Sequence, residues 1–114
     1  MTISTHVLDA SAGRPAAGMA LTLFRLDGPD ASAAVQVGSG TTNDDGRCPE
    51  LADAVELAVG VYRLRFETGA WFARTGTPAF YPVAEITFEV VDADAHHHVP
   101  LLLSPYAFST YRGS

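Results

Sequence analysis

Gly60-Val61-Tyr62-Arg63-Leu64-Arg65-Phe66-Glu67 alternates, from Tyr62 onward, between apolar and charged side chains. A period of two marks a strand with one buried face. Tyr62, Leu64 and Phe66 share that face, and Arg63 and Arg65 share the other. Similar short segments lie on both sides. Ile3 to Leu8 reads as a strand, followed by turn chemistry at Ser11-Ala12-Gly13-Arg14-Pro15. Met19 to Leu26 is a strand with both faces largely apolar, and Asp27 to Ala31 is a loop. Val35 to Thr42 is another strand, ending at the turn Asn43-Asp44-Asp45-Gly46. Val83 to Val91 sets Ile86, Phe88 and Val90 against Thr87, Glu89 and Val91, and Asp92 to Ala95 turns the chain. His96 to Leu103 and Tyr106 to Arg112 are the last strands, split by Ser104-Pro105. Short strands with turns roughly every 8–12 residues indicate an all-β, two-sheet β-sandwich.

Three places interrupt the pattern. Thr68 to Gly76 is expected to hold a short helix, with Thr68 as N-cap and Gly76 as C′. Pro49 to Val59 reads as a loop with a short strand. Pro100 lies inside a strand, where it cannot donate to a ladder, so an edge, a bulge or an interface position is expected for it.

Composition narrows the function. With 114 residues, 47% of them hydrophobic, the chain fits a single domain spanning 1–114 with one core. The formal charge is -6, and all seven basic residues are arginine. Without lysine there is no Schiff-base chemistry and no lysine general base. No basic stripe exists to meet nucleic-acid phosphates. No apolar run approaches the ~20 residues of a membrane helix. Met1 to Ala10 lacks the basic and apolar regions of a leader, so a cytoplasmic location is expected. The one cysteine, Cys48, cannot form an intrachain disulfide, and Arg47 is the sole cation beside it. We attach no role to it.

The candidates for chemistry are few. Histidine exchanges protons near neutrality, and the four histidines are His6, His96, His97 and His98. Strand periodicity puts His96 and His98 on one face and His97 on the other. The cluster fits a solvated loop-to-strand junction. It also fits half of a metal site, but an obvious third and fourth ligand is missing. Arg47 follows a tight turn: it is either a surface arginine or a guanidinium presented to a planar, carbonyl-rich ligand. The tail, Tyr106 to Ser114, stays ordered-looking to its last residue, whereas termini usually fray. No Gly-x-Ser-x-Gly elbow is present, which argues against a serine-hydrolase triad.

Three stretches carry a resemblance. They are His6-Val7-Leu8-Asp9 with Gly13-Arg14-Pro15-Ala16, then Thr42-Asn43-Asp44-Asp45-Gly46-Arg47, then His98-Val99-Pro100-Leu101-Leu102-Leu103-Ser104-Pro105-Tyr106 with Ser109-Thr110-Tyr111-Arg112-Gly113-Ser114. Together and in this order they resemble the transthyretin-related family. The ending Tyr111-Arg112-Gly113-Ser114 is similar to that of its 5-hydroxyisourate hydrolase branch rather than to the hormone carriers. The resemblance implies a transthyretin-like sandwich of about eight strands with a short helix after the fifth. It implies hydrolysis of 5-hydroxyisourate, in urate degradation, to a carboxylated ureidoimidazoline, with no metal and no cofactor. It further implies a homotetramer, a dimer of dimers, with sites at the dimer–dimer interface. Carried over by position, His6, Arg47, His98 and Ser114 are the catalytic candidates, with Ser114 orienting His98. His6, Arg47, Tyr111, Arg112 and Gly113 are the substrate contacts. The chain departs from the family at His97, where tyrosine is usual; facing away from His98, it is expected to matter little. The alternative reading is a non-catalytic carrier of a small ligand, which would need an apolar channel.

Overall fold

The computed structural model describes residues 2–28, 32–53 and 58–113. Residues 29–31 of the expected 27–31 loop, residues 54–57 of the 49–59 stretch, and Ser114 lie outside them. The described chain forms eight strands and two short helices. They are β1 (Thr2–Asp9), β2 (Arg14–Pro15), β3 (Ala20–Asp27), β4 (Ala33–Thr41), α1 (Pro49–Asp53), β5 (Gly60–Phe66), α2 (Thr68–Ala73), β6 (Ala84–Val90), β7 (His96–Ser104) and β8 (Ala107–Thr110). Two four-stranded sheets result, in the orders β2-β1-β7-β8 and β4-β3-β5-β6. This is the expected sandwich.

The core fills the space between the sheets. Ile3, Val7, Leu101 and Leu103 meet Leu21, Leu23, Leu64, Phe66 and Val90 across it, all buried. Each such side chain removed from water contributes roughly 1.5–3 kcal/mol. Tyr62 is buried with them, as its alternation with Arg63 and Arg65 requires, and its hydroxyl donates to the Ala58 carbonyl at 2.7 Å. Arg65 turns outward and pairs with Glu67 at 2.8 Å.

The β1–β7 pairing is parallel and sets Ser4 beside His98 and His6 beside Pro100. A parallel pair needs a long crossover, and here the whole second sheet lies in sequence between the two strands. Local patterning carries no sign of it.

Several expectations are corrected. Pro49–Asp53 is a helix, not a loop with a strand. Proline suits a first helical position, because it needs no donor there and its φ is already helical. Glu50 lies in that first turn, and Leu51 is fully buried under it. In α2 the N-cap is Glu67 rather than Thr68, with no side-chain cap, and the Thr68 hydroxyl donates to the Tyr81 carbonyl instead. Gly76 does close the helix: at φ +69° its N–H donates to Ala73, and the N–H of Thr77 donates to Phe72, both at 3.1 Å. The 11–15 turn contains the two-residue β2.

Pro100 occupies neither an edge strand nor a bulge. The antiparallel β7–β8 ladder runs from Ser104–Ala107 to Leu101–Thr110. Its next position would set Pro100 opposite Tyr111, and there the missing N–H stops it. The Pro100 carbonyl instead accepts the Thr110 hydroxyl at 2.7 Å. The last strand is therefore shorter than expected, and Tyr111 and Arg112 leave the ladder before Gly113 rejoins it.

Candidate active site

Period-two alternation builds the site on the outer face of the first sheet. On β1, Thr5 and Val7 point into the core, so Ser4 and His6 point outward. On β7, His97 is buried while His96 is exposed and His98 half-buried. The expected split of the three histidines is observed. The parallel register then brings Ser4 against His98, and the Ser4 Oγ lies 2.7 Å from His98 Nδ1 and 2.9 Å from His96 Nε2. The two imidazoles stack at 6.3 Å between centroids.

Two single bridges fasten the remaining residues to this face: His6 to Arg47, and His98 to Gly113. The Arg47 turn is rigid. Asn43 Oδ1 accepts the N–H groups of Asp45 and Arg47, Asn43 N–H donates to the Arg47 carbonyl, and the Gly46 carbonyl accepts from Val7 N–H at 2.8 Å. Gly46 has φ +76°, and a Cβ there would strike the Val7 carbonyl. Buried Thr42 ties the turn to the core, donating to the Ala16 carbonyl and accepting from Met19 N–H. On the other side Gly113 N–H donates to the His98 carbonyl at 2.9 Å. A Cβ at 113 would overlap the His98 ring, so only glycine lets the tail lie this close.

Ser4, Arg47, His96, His98, Tyr111 and Gly113 enclose a polar depression of about 410 Å³. Four sequence candidates meet there: Arg47, His98, Tyr111 and Gly113. His6 stands next to it through its bridge to Arg47. Arg112 does not line it. It faces an adjoining cavity of about 350 Å³, walled by β6 residues Ile86 to Glu89 and by His97, His98 and Tyr111. Ser114 lies outside the described residues, so its expected contact with His98 does too. Sequence reasoning missed Ser4; its signal was its place two residues before His6, on the same strand face.

The electrostatics favour a neutral base. His98 is held below the usual histidine value, first by burial, then by the positive charge of Arg47, and then by His96 and His6. No carboxylate among the described residues pairs with Arg47, so its guanidinium is available to a ligand. Among the described residues no three of His, Cys, Asp or Glu gather as metal ligands. Cys48 is buried beside Glu50, and both effects raise its thiol pKa, which leaves it unreactive.

Residues 3–113 match the model of the HIUase/Transthyretin family. The chain belongs to that family. Among its family relatives is "5-hydroxyisourate hydrolase 2" of Rhizobium meliloti, 45% identical, the match covering 98% of this chain and 95% of that one. The solved 5-hydroxyisourate hydrolase of Klebsiella pneumoniae is 40% identical, with TM-score 0.84 and both chains fully covered. Sea bream transthyretin, solved in complex with thyroxine, is 29% identical with TM-score 0.88, covering 99% of this chain and 95% of that one. The family fold therefore houses both a named hydrolase and a thyroxine complex, and the site has to distinguish them.

Proposed function

We propose that this protein is an enzyme of urate degradation that hydrolyses 5-hydroxyisourate. One observation carries the reading: His98, a histidine held toward its neutral form, and Arg47, whose guanidinium pairs with no carboxylate among the described residues, face the same depression. The relatives named 5-hydroxyisourate hydrolase supply the substrate. A carrier of an apolar ligand is not favoured, because the depression is walled by Ser4, Arg47, His96 and His98.

Hydrolysis of a ring amide needs a base for water, a cation for the oxyanion and a proton for the leaving nitrogen. In our reading His98 Nε2 takes a proton from water as its oxygen bonds to the ring carbonyl. Arg47 holds the planar ring and the oxyanion. The ring C–N bond then breaks, the proton on His98 goes to nitrogen, and the carboxylic acid formed releases the second water proton to solvent and remains as carboxylate. His6 and Tyr111 contact the substrate, His6 assisting the proton transfers. Gly113 admits the tail to His98, and Arg112 reaches the substrate from the adjoining cavity. No cofactor enters these steps. Ser114 is retained as a catalytic residue of the tail on the strength of the motif alone.

Gly113→Ala tests the close approach. Its methyl group would displace the His98 ring, and a displacement of about 1 Å can cost about 10²-fold. We expect a kcat loss of that order with the thermal midpoint little changed; steady-state kinetics and a melting curve check it. An unaltered kcat would remove Gly113 from the site.

The depressed His98 pKa fixes the pH dependence. The base works when neutral, so the acid limb of kcat/KM lies below 6.5, the ordinary histidine value. The stability linkage has the same sign. The fold favours the neutral form, so this contribution is full above the unfolded pKa and is lost as pH falls toward the folded one. A pH–rate profile with its acid limb above 6.5 would contradict the assignment.

The same reading includes a homotetramer, a dimer of dimers, and a cytoplasmic location. Tyr111, 60% exposed beside the site, and Tyr106, 66% exposed in the β7–β8 turn, are apolar surface that a neighbouring subunit would cover. Sedimentation should give the mass of four 12.1 kDa chains; a monomer at working concentration would contradict this part. The whole reading is tested by whether the protein accelerates decay of freshly generated 5-hydroxyisourate.

A further inference from the structure

Ser4 places its hydroxyl between two imidazoles of the site: its Oγ is 2.7 Å from His98 Nδ1 and 2.9 Å from His96 Nε2. A serine hydroxyl has a single proton, so it cannot donate to both rings. At least one ring must donate to it, and where the serine proton goes to one ring the other ring is the donor. Which nitrogen of a histidine carries the proton is set by the bond its other nitrogen makes. The serine therefore couples the tautomers of the two histidines. His96 is exposed, whereas His98 is half-buried, so the chain of bonds leads from the depth of the depression toward solvent.

We propose that Ser4 is a positioning residue that holds His98 in its Nδ1–H tautomer, and that His98, Ser4 and His96 form a proton relay. The inference rests on the reading of His98 as the base. In the first half of the reaction His98 Nδ1–H donates to Ser4 Oγ, and Ser4 O–H donates to His96 Nε2. The Nε2 lone pair of His98 then faces the substrate water. As Nε2 takes the water proton, the Nδ1–H bond breaks and that proton passes to Ser4 Oγ. The Ser4 proton passes to His96 Nε2, leaving His98 neutral and His96 carrying the charge. In the second half the same bonds reverse, and Nε2 returns a proton to the leaving nitrogen. Atoms and charge balance with no further reactant. One imidazole thus serves as base and then as acid without turning over.

The groups facing His98 are consistent with such a path. Arg47 from the 43–47 turn and His6 from β1 disfavour a lasting positive charge on it. His96 of its own strand disfavours it as well. Tyr111 and Gly113 of the tail line the depression, and Glu89 of β6 and Arg112 line the adjoining cavity that His98 shares. A relay that delocalises the proton avoids a static imidazolium next to Arg47.

The test uses the full chain with 5-hydroxyisourate produced in place by urate oxidase, and long-range proton–nitrogen NMR of the histidines without substrate. The parent should show His98 as the Nδ1–H tautomer. Ser4→Ala should convert it to a mixture, lower kcat by about 10- to 100-fold with KM little changed, and move the acid limb of the kcat profile. Ser4→Thr, which keeps a hydroxyl, should restore tautomer and rate. His96→Ala should lower kcat in dilute buffer and recover with added imidazole, which replaces the relay's outer member. A Ser4→Ala enzyme with parental tautomer, kcat and pH profile would overturn the relay. Parental activity in His98→Asn would instead overturn the assignment of the base on which it rests.

Discussion

His98→Asn should reduce kcat by about 10²–10⁴-fold, the range supplied by a positioned acid–base group. Asparagine keeps a polar atom near the Ser4 hydroxyl but cannot exchange protons at neutral pH. The substitution spares the structure. The bridge to the tail uses the His98 backbone carbonyl, which accepts from Gly113 N–H, and the β1–β7 ladder is made of backbone bonds. Asparagine is also smaller than histidine, so the close approach of Gly113 is relieved rather than worsened. We therefore expect a folded protein of parental melting behaviour whose KM is little changed and whose kcat collapses. Steady-state kinetics on the purified variant decides it. A kcat within a few-fold of the parent would show that the base lies elsewhere, with His6 the next candidate.

Arg47→Gln should be nearly as damaging, with a kcat loss of about 10²–10³-fold, as for removal of an oxyanion donor. Its turn is fixed by Asn43, Gly46 and Thr42 rather than by the guanidinium, so the backbone should stay in place. The variant has a second signature. The Arg47 charge is, after burial, the largest influence lowering the His98 pKa, so its loss should move the acid limb of the pH–rate profile upward. Arg47→Lys should correct the charge and the acid limb more than the rate, because an ammonium lacks the planar fork. An upward shift without rate loss would reduce Arg47 to an electrostatic neighbour; neither effect would remove it from the site.

What the chain disclosed before folding follows from the range of the physics involved. Alternation is local, so the buried face of Tyr62, Leu64 and Phe66 and the opposed faces of His97 and His98 are both legible. The Arg47 turn is legible as well, because Asn43 and Gly46 act within five residues of each other. The Ser4–His98 contact is not: its partners are 94 residues apart and meet through a parallel ladder with no local signature. The helix at Pro49–Asp53 had a signal, proline followed by an acidic residue, but five residues are too few for a period to declare itself. The division of the tail is tertiary too. Motif order groups Tyr111, Arg112 and Gly113, yet Tyr111 lines both cavities, Gly113 only the depression and Arg112 only the adjoining cavity.

On the proposed reading, the depression around His98 and Arg47 hydrolyses 5-hydroxyisourate. Urate oxidase acting on urate generates the compound in place, and its ultraviolet absorbance is followed to completion. Adding this protein should accelerate the decay in proportion to its concentration, and His98→Asn at the same concentration should abolish nearly all of the acceleration. A decay rate equal to the spontaneous one at every concentration of the parent protein would contradict the account.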